Sequence, residues 1–340
     1  MSADVRSKID IRRARWAERA PSGGWRTIAA KEIGDHVDSV RFIVLLLMVG
    51  LAAAVPLYFA ADAIRDAASR VSGAPALFLA LFTISVQDVG FVRTDALVAL
   101  LAPLLGIAFG FDAVNVERSQ GTLPRLLSQP IHRDDVINGK FAAGLAVIAL
   151  MLTSLVLIIG GFGMLRLGIV PELSEVARIA AWLLVTILYV AFWLAFATLL
   201  SVVIRRSASA ALVGFGIWLG LVVFGALVLG ILANALFPIG PNVTFEEGLQ
   251  TQGLRDLFLR LSPHTLYQDA VSVILNPGIT STVRPTTIGQ LFAAQEQLPT
   301  LLSLEQSLLL VWPQVVVLVG LTVAMFALAY VLFLRQEVRA

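Results

Sequence analysis

The chain has no cysteine, which excludes disulfides and thiolate-held metals and leaves the compartment open. It has little charge. Only 14% of its 340 residues are Asp, Glu, Lys or Arg, where a soluble domain carries roughly 25%. The net charge of +2 gives no broad basic field and no case for nucleic acid. Histidine is scarce: His36, His132 and His264 lie far apart, so a zinc site within one chain is not expected. No G-x-x-x-x-G-K-[ST] loop occurs. Gly139-Lys140 is followed by Phe141, and no glycine precedes the pair at the required spacing. The chain is therefore expected to hydrolyse no nucleotide by itself. H-E-x-x-H and G-x-S-x-G are also missing, which removes the common zinc-protease and serine-hydrolase readings. Residues 1–40 show neither an early apolar core nor a small-residue cleavage site, so no removable signal peptide is expected.

Apolar residues dominate instead. They make up 58% of the chain, and mean hydropathy is +0.86. No soluble fold of this length hides so much apolar surface. Six segments have the roughly 20 apolar residues that a span needs: Phe42–Ala60, Ala96–Val114, Phe141–Leu165, Ile179–Val203, Ala208–Leu236 and Leu310–Leu334. They lack the period-2 alternation of barrel strands, so they are expected to be helices. The expected fold is an all-α integral membrane protein with six transmembrane helices. An N-terminal interfacial helix, a cytoplasmic coupling elbow and a large extracytoplasmic segment before the last helix complete it.

Lys and Arg set the orientation. With six spans, segments 1–41, 115–140, 204–207 and 335–340 share one side and hold 17 of the 25 Lys and Arg. That side is expected to be cytoplasmic, with both termini on it. Residues 1–24 read as a basic cytoplasmic tail, and 25–236 as the transmembrane region with spans one to five. Within it, 25–41 is an amphipathic helix, because Trp25, Ala29, Ile33, Val37 and Val40 recur at helical spacing. Residues 237–309 form the extracytoplasmic segment, and 310–340 hold the last span and the C-terminus. The short run Ala76–Ser85 is too short to cross and reads as an interfacial or re-entrant helix on the outer side.

Ionisable residues sit only at the ends of spans, as with Asp95, Asp112 and Arg178. That pattern argues against a proton-coupled carrier and a voltage sensor. Gly216 and Gly220 form a small-x-x-x-small pair in the fifth span and are candidates for helix packing, within the chain or against a partner. The polar stretch 111–140 lies between two spans. Gly121-Thr122 interrupts a short helix, Pro124 falls early in the next, and Pro130 stops it. Asp134 or Asp135 caps the helix leading to Lys140. The stretch reads as a helix–turn–helix elbow at one membrane face.

Within this elbow, Asp112, Glu117, Arg118, Gly121, Thr122, Leu123, Leu126, Leu127, Ser128, Pro130, Arg133, Gly139 and Lys140 resemble the inner elbow of ABC-2 type permeases, the membrane subunits of ABC exporters, in the Nos-type and multidrug-like branch. Ala29-Ala30-Lys31-Glu32-Ile33 is similar to the start of their interfacial helix, and Leu261–Tyr267 to the segment before their last span. The resemblance implies a permease that couples ATP hydrolysis by separate ATPase subunits to export. Asp112, Glu117, Arg118, Gly121, Thr122, Leu123, Leu126, Leu127, Pro130 and Arg133 would form the ATPase-coupling interface. Lys31, Glu32 and Ile33 would belong to the interfacial helix. The chain would hold no cofactor, with ATP and Mg bound by the partner ATPase subunits. Further partners would be a second permease copy and membrane lipid, and the site would be the plasma (inner) membrane of a prokaryote. Two other readings stand beside this one. A passive channel or membrane scaffold would need no structured elbow. A lipid-modifying membrane enzyme would need clustered acids, where only Asp62, Asp66 and Asp88 are scattered on the outer side.

Overall fold

The computed structural model describes residues 24–70, 78–83, 93–121, 132–168, 170–238, 245–278 and 301–336. No strand occurs among them. Long apolar runs have no water to bond, so each closes its own backbone ladder. Helix α1 (Gly24–Val37) leads into α2 (Val40–Arg70). One turn, α3 (Ala80–Thr83), precedes α4 (Thr94–Gly110), and the short α5 (Asn115–Ser119) follows it. Helices α6 (Arg133–Leu167) and α7 (Leu173–Val203) follow. Helix α8 (Ser207–Trp218) widens into a π-helical turn, Leu219–Val223, before α9 (Gly225–Leu236). Helices α10 (Phe245–Leu259) and α11 (Pro263–Leu275) precede α12 (Leu304–Arg335).

Among the described residues, four stretches are long and apolar enough to cross a membrane: Thr94–Ser119, Arg133–Arg166, Leu173–Val203 and Leu304–Arg335. Two bent pairs reach that standard when taken together. Gly24–Val37 meets Val40–Val55 at 66°, and Ser207–Val223 meets Gly225–Leu236 at 56°. The protein is thus a multi-pass membrane protein with four to six spans. The expected fifth span is broken at Phe224, whose N–H reaches back to Leu219 O at 3.2 Å. That five-residue step belongs to a π-turn and marks the kink. The last span begins earlier than residue 310. A capping box starts it at Ser303: Ser303 Oγ accepts from Gln306 N at 3.2 Å, and Gln306 Oε1 accepts from Ser303 N at 2.9 Å.

Helix α7 is the axis of the bundle, with α12, α4, α11 and α6 packed on it. Trp182, Tyr189 and Trp193 on α7 are among the largest fully buried side chains. Helix α4 approaches α7 through two glycines. A Cβ at Gly106 would lie 2.7 Å from Leu194 N and from Val190 O, and one at Gly110 would lie 2.7 Å from Ala197 Cβ. Only glycine allows that crossing.

Part of the segment 237–309 lies inside the core. Arg178, near the start of α7, donates to Ile274 O at 2.9 Å, close to the C-terminal end of α11. Tyr189 OH lies 3.1 Å from His264 Nδ1, at the opposite end of α11. These two levels on α7 are about 16 Å apart at 1.5 Å per residue. Helix α11 therefore runs antiparallel to α7, over about half of a ~30 Å hydrocarbon layer. The turn that leads into it is self-sufficient. Arg260 N, Leu261 N and Ser262 N donate to Asp256 O, Phe258 O and Leu259 O at 3.0, 3.2 and 3.2 Å. Arg260 Nε pairs with Asp269 Oδ2 at 3.1 Å. Of the run Ala76–Ser85, residues 78–83 are described. Phe82 is buried edge-on against Trp182, and Phe78 N donates to Glu175 at 2.9 Å.

Candidate functional site

Three sequence signals converge at one end of the bundle. Helix α4 gives way at Gly110 to a turn, whose last N–H groups end on α7: Val114 N and Asn115 N both donate to Ser201 Oγ, at 3.0 and 3.2 Å. This seats α5 on α7. One turn further, Glu117 Oε1 is 3.0 Å from Lys140 Nζ. The same ammonium is 3.1 Å from Glu32 Oε1. Lys140 is 9% exposed, and each of the two glutamates 13%. One shielded cation thus fastens α1, α5 and α6 together. The preceding Gly139 explains the proximity, because a Cβ there would lie 2.8 Å from both Ile28 Cβ and Trp25 O. Glycine brings α1 onto α6, and lysine bonds it there.

The face of α1 differs in part from the expected one. Ile28 and Ala29 are buried and Ile33 and Val37 partly buried, but Trp25 and Val40 are exposed. The bend into α2 takes Val40 off the helical stripe. Lys31 is exposed and pairs with Asp35 at 2.9 Å, and this hydrogen bond raises its pKa. His36 sets its ring edge-on to Phe109 at 5.1 Å. Burial lowers its pKa, against the opposing pull of Glu32 and Asp112.

Around the triad lie two further fastenings. Arg41 holds Asp112 with two bonds, Nη2 to Oδ2 at 2.7 Å and Nη1 to Oδ1 at 3.2 Å, and Nη1 also donates to Ala108 O at 2.8 Å. This ties α2 to the end of α4. Arg118 donates to Val202 O at 3.2 Å and to the Gln336 side chain. Gln336 Nε2 donates to the same carbonyl at 2.8 Å, and Arg133 Nη1 donates to Gln336 O at 3.3 Å. The end of α12 thereby meets the base of the elbow.

Asp112, Glu117, Arg118, Arg133 and Glu32 are thus gathered at one end, while Lys31 and Ile33 flank them on α1. Gly121 adopts φ +65°, a left-handed turn suited to glycine. Thr122, Leu123, Leu126, Leu127 and Pro130 lie outside the described residues. Asp135 Oδ2 accepts from His132 N at 3.2 Å and caps α6. Gly216 and Gly220 stand apart from this end, and a Cβ at either would meet no atom within 4 Å. Sequence reasoning missed Arg41, Ser201 and Gln336. Arg41, beside the first apolar run, carried the one visible signal. No group of metal-ligating side chains occurs among the described residues. The arrangement fastens the ends of α1, α2, α4, α5, α6, α7 and α12 to one another.

The family model described as "ABC-2 family transporter protein" matches residues 26–338. The chain belongs to that family. A curated relative from Stutzerimonas stutzeri, "Probable ABC transporter permease protein NosY", is 28% identical over 193 residues. The alignment covers 53% of this chain and 64% of the relative, so the chain spans less than two thirds of that protein's length. Membership makes this chain a membrane permease subunit of an ABC transporter. The ionic triad is therefore a feature of a permease.

Proposed function

We propose that this permease couples ATP hydrolysis by separate ATPase subunits to export across the plasma membrane of a prokaryote. The elbow 111–140 is the coupling element and faces the cytoplasm, as do both termini. Two permease copies pair with two ATPases, which bind ATP and Mg. Gly216 and Gly220 offer open faces for helix packing against the second copy. The observation that carries this reading is the Glu32–Lys140–Glu117 triad. A push on a loosely attached loop would be lost in the loop. A push on α5 reaches α6 and α1 through one shielded ammonium, α7 through Ser201, and α12 through Arg118 and Gln336.

On this reading, ATP-driven closure of the ATPases displaces the elbow, and the helices fastened to it tilt between inward-open and outward-open arrangements. Glu117→Ala loosens the triad, and Leu126→Asp places charge among the leucines Leu123, Leu126 and Leu127 of the sequence. Both variants should insert normally and lose ATPase on co-purification. Undiminished recovery of the ATPase with both would overturn the assignment. The permease alone should show no ATP turnover.

A further inference from the structure

At the end of the bundle remote from the elbow, a cavity of ≈ 170 Å³ opens between the start of α4 and one face of α11. Arg93, Asp95 and Ala99 line one wall, with Tyr267, Gln268 and Ser272 on the other. Arg93 grips both oxygens of Asp95, Nε to Oδ1 at 2.9 Å and Nη2 to Oδ2 at 2.6 Å. Among the described residues, Nη1 of this guanidinium and the Gln268 amide have no hydrogen-bond partner. The Tyr267 hydroxyl is occupied: Trp182 Nε1 donates to it at 3.2 Å, and Thr186 Oγ1 lies 2.9 Å away. Tyr267, buried and stacked on Tyr189 at 4.3 Å, is therefore part of the wall, and its hydroxyl is not open to a guest.

Depth and charge select the guest. The apolar part of α4 begins at Ala96, so Arg93 and Asp95 lie where headgroups meet hydrocarbon. The lining carries one cation and one anion, so a net anion meets Asp95 and a net cation meets Arg93. The cavity has room for a headgroup-sized group. We propose that this cavity binds a primary-ammonium zwitterion of the phosphoethanolamine type. Its phosphate oxygen sits on Arg93 Nη1, and its ammonium sits against Asp95 and Gln268 Oε1. The site goes beyond the coupling reading and is tested without any ATPase.

The test is native mass spectrometry of the full permease. It is titrated with phosphatidylethanolamine, with phosphatidylglycerol of the same acyl chains, and with water-soluble phosphoethanolamine. Phosphatidylethanolamine should bind about tenfold more tightly than phosphatidylglycerol, the effect of one charge-assisted contact. Asp95→Asn should abolish that preference, whereas Arg93→Gln, which removes the contact to the phosphate both lipids share, should weaken both and leave the preference in place. Gln268→Ala, which disturbs no ion pair, should weaken phosphatidylethanolamine about tenfold, as loss of a hydrogen bond to a charged group does. Competition by millimolar phosphoethanolamine would show that the headgroup alone is read. Lipid preference without such competition would assign the site to membrane lipid, and either result upholds the zwitterion site. Equal binding of the two lipids, or a preference unchanged in Asp95→Asn, would overturn it.

Discussion

Lys140 sits between two carboxylates, shielded from water on all but 9% of its side chain. Removing its charge leaves Glu32 and Glu117 facing each other without a cation between them. Lys140→Met should destabilise the purified permease by about 3–5 kcal/mol, the usual result of breaking a buried pair from one side. Thermal unfolding in detergent would read this as a clear fall in Tm. Glu32→Gln should lower Tm less, because Lys140 keeps Glu117. Equal Tm values for wild type and Lys140→Met would contradict the triad's structural role. His36 adds a pH term. Burial depresses its pKa in the folded chain, so the unfolded chain binds more protons just below the ordinary value of about 6.5. Its contribution to stability is complete above that value and is lost as pH falls towards the folded pKa. Glu32, Asp112, Arg41 and Lys140 all act on the same ring. Tm should fall between pH 7 and 5.5, and His36→Gln should flatten the decline. An identical decline in that variant would remove His36 from the account.

At the scale of helices, the tight crossing is that of α4 on α7. Gly106→Leu forces a side chain against Leu194 N and Val190 O, and overpacking of this kind costs about 1–3 kcal/mol. Gly216→Leu, on an open face, should leave the Tm of the single chain nearly unchanged. If the two variants had equal effects, the packing order inferred for α4 and α7 would be wrong. Sequence alone could not rank these sites. Gly106-x-x-x-Gly110 and Gly216-x-x-x-Gly220 carry the same pattern, and only the fold shows which glycine faces another backbone. Other features were open to reading. Ser303 and Gln306 spell a capping box, and they start α12 where the hydropathy window missed it. The polar triad was legible as Glu117 and Lys140 in the elbow motif and Glu32 in the interfacial-helix motif. Their meeting on a single ammonium was not, because it depends on how α1 folds back on α6. The buried position of α11 was equally hidden, since its apolar run is too short to announce a membrane segment.

For the whole molecule, one end is a knot of ion pairs and the other a set of buried aromatic and polar contacts around α11. Arg178 fastens that second end: it donates to Ile274 O and Ser307 Oγ at 2.9 and 3.1 Å and to Leu302 O. Bracing at both ends suits the proposed drive from one face, because helices fastened at their ends transmit a push along their length. The chain has no cysteine of its own, so a single introduced thiol reports one position cleanly. Leu126→Cys places that thiol on the elbow. An impermeant maleimide should label it in inverted vesicles and leave it unlabelled in intact cells, and adding the partner ATPase should protect it. Labelling in intact cells, or undiminished labelling in vesicles carrying the ATPase, would contradict the claim that this elbow receives force from a cytoplasmic motor.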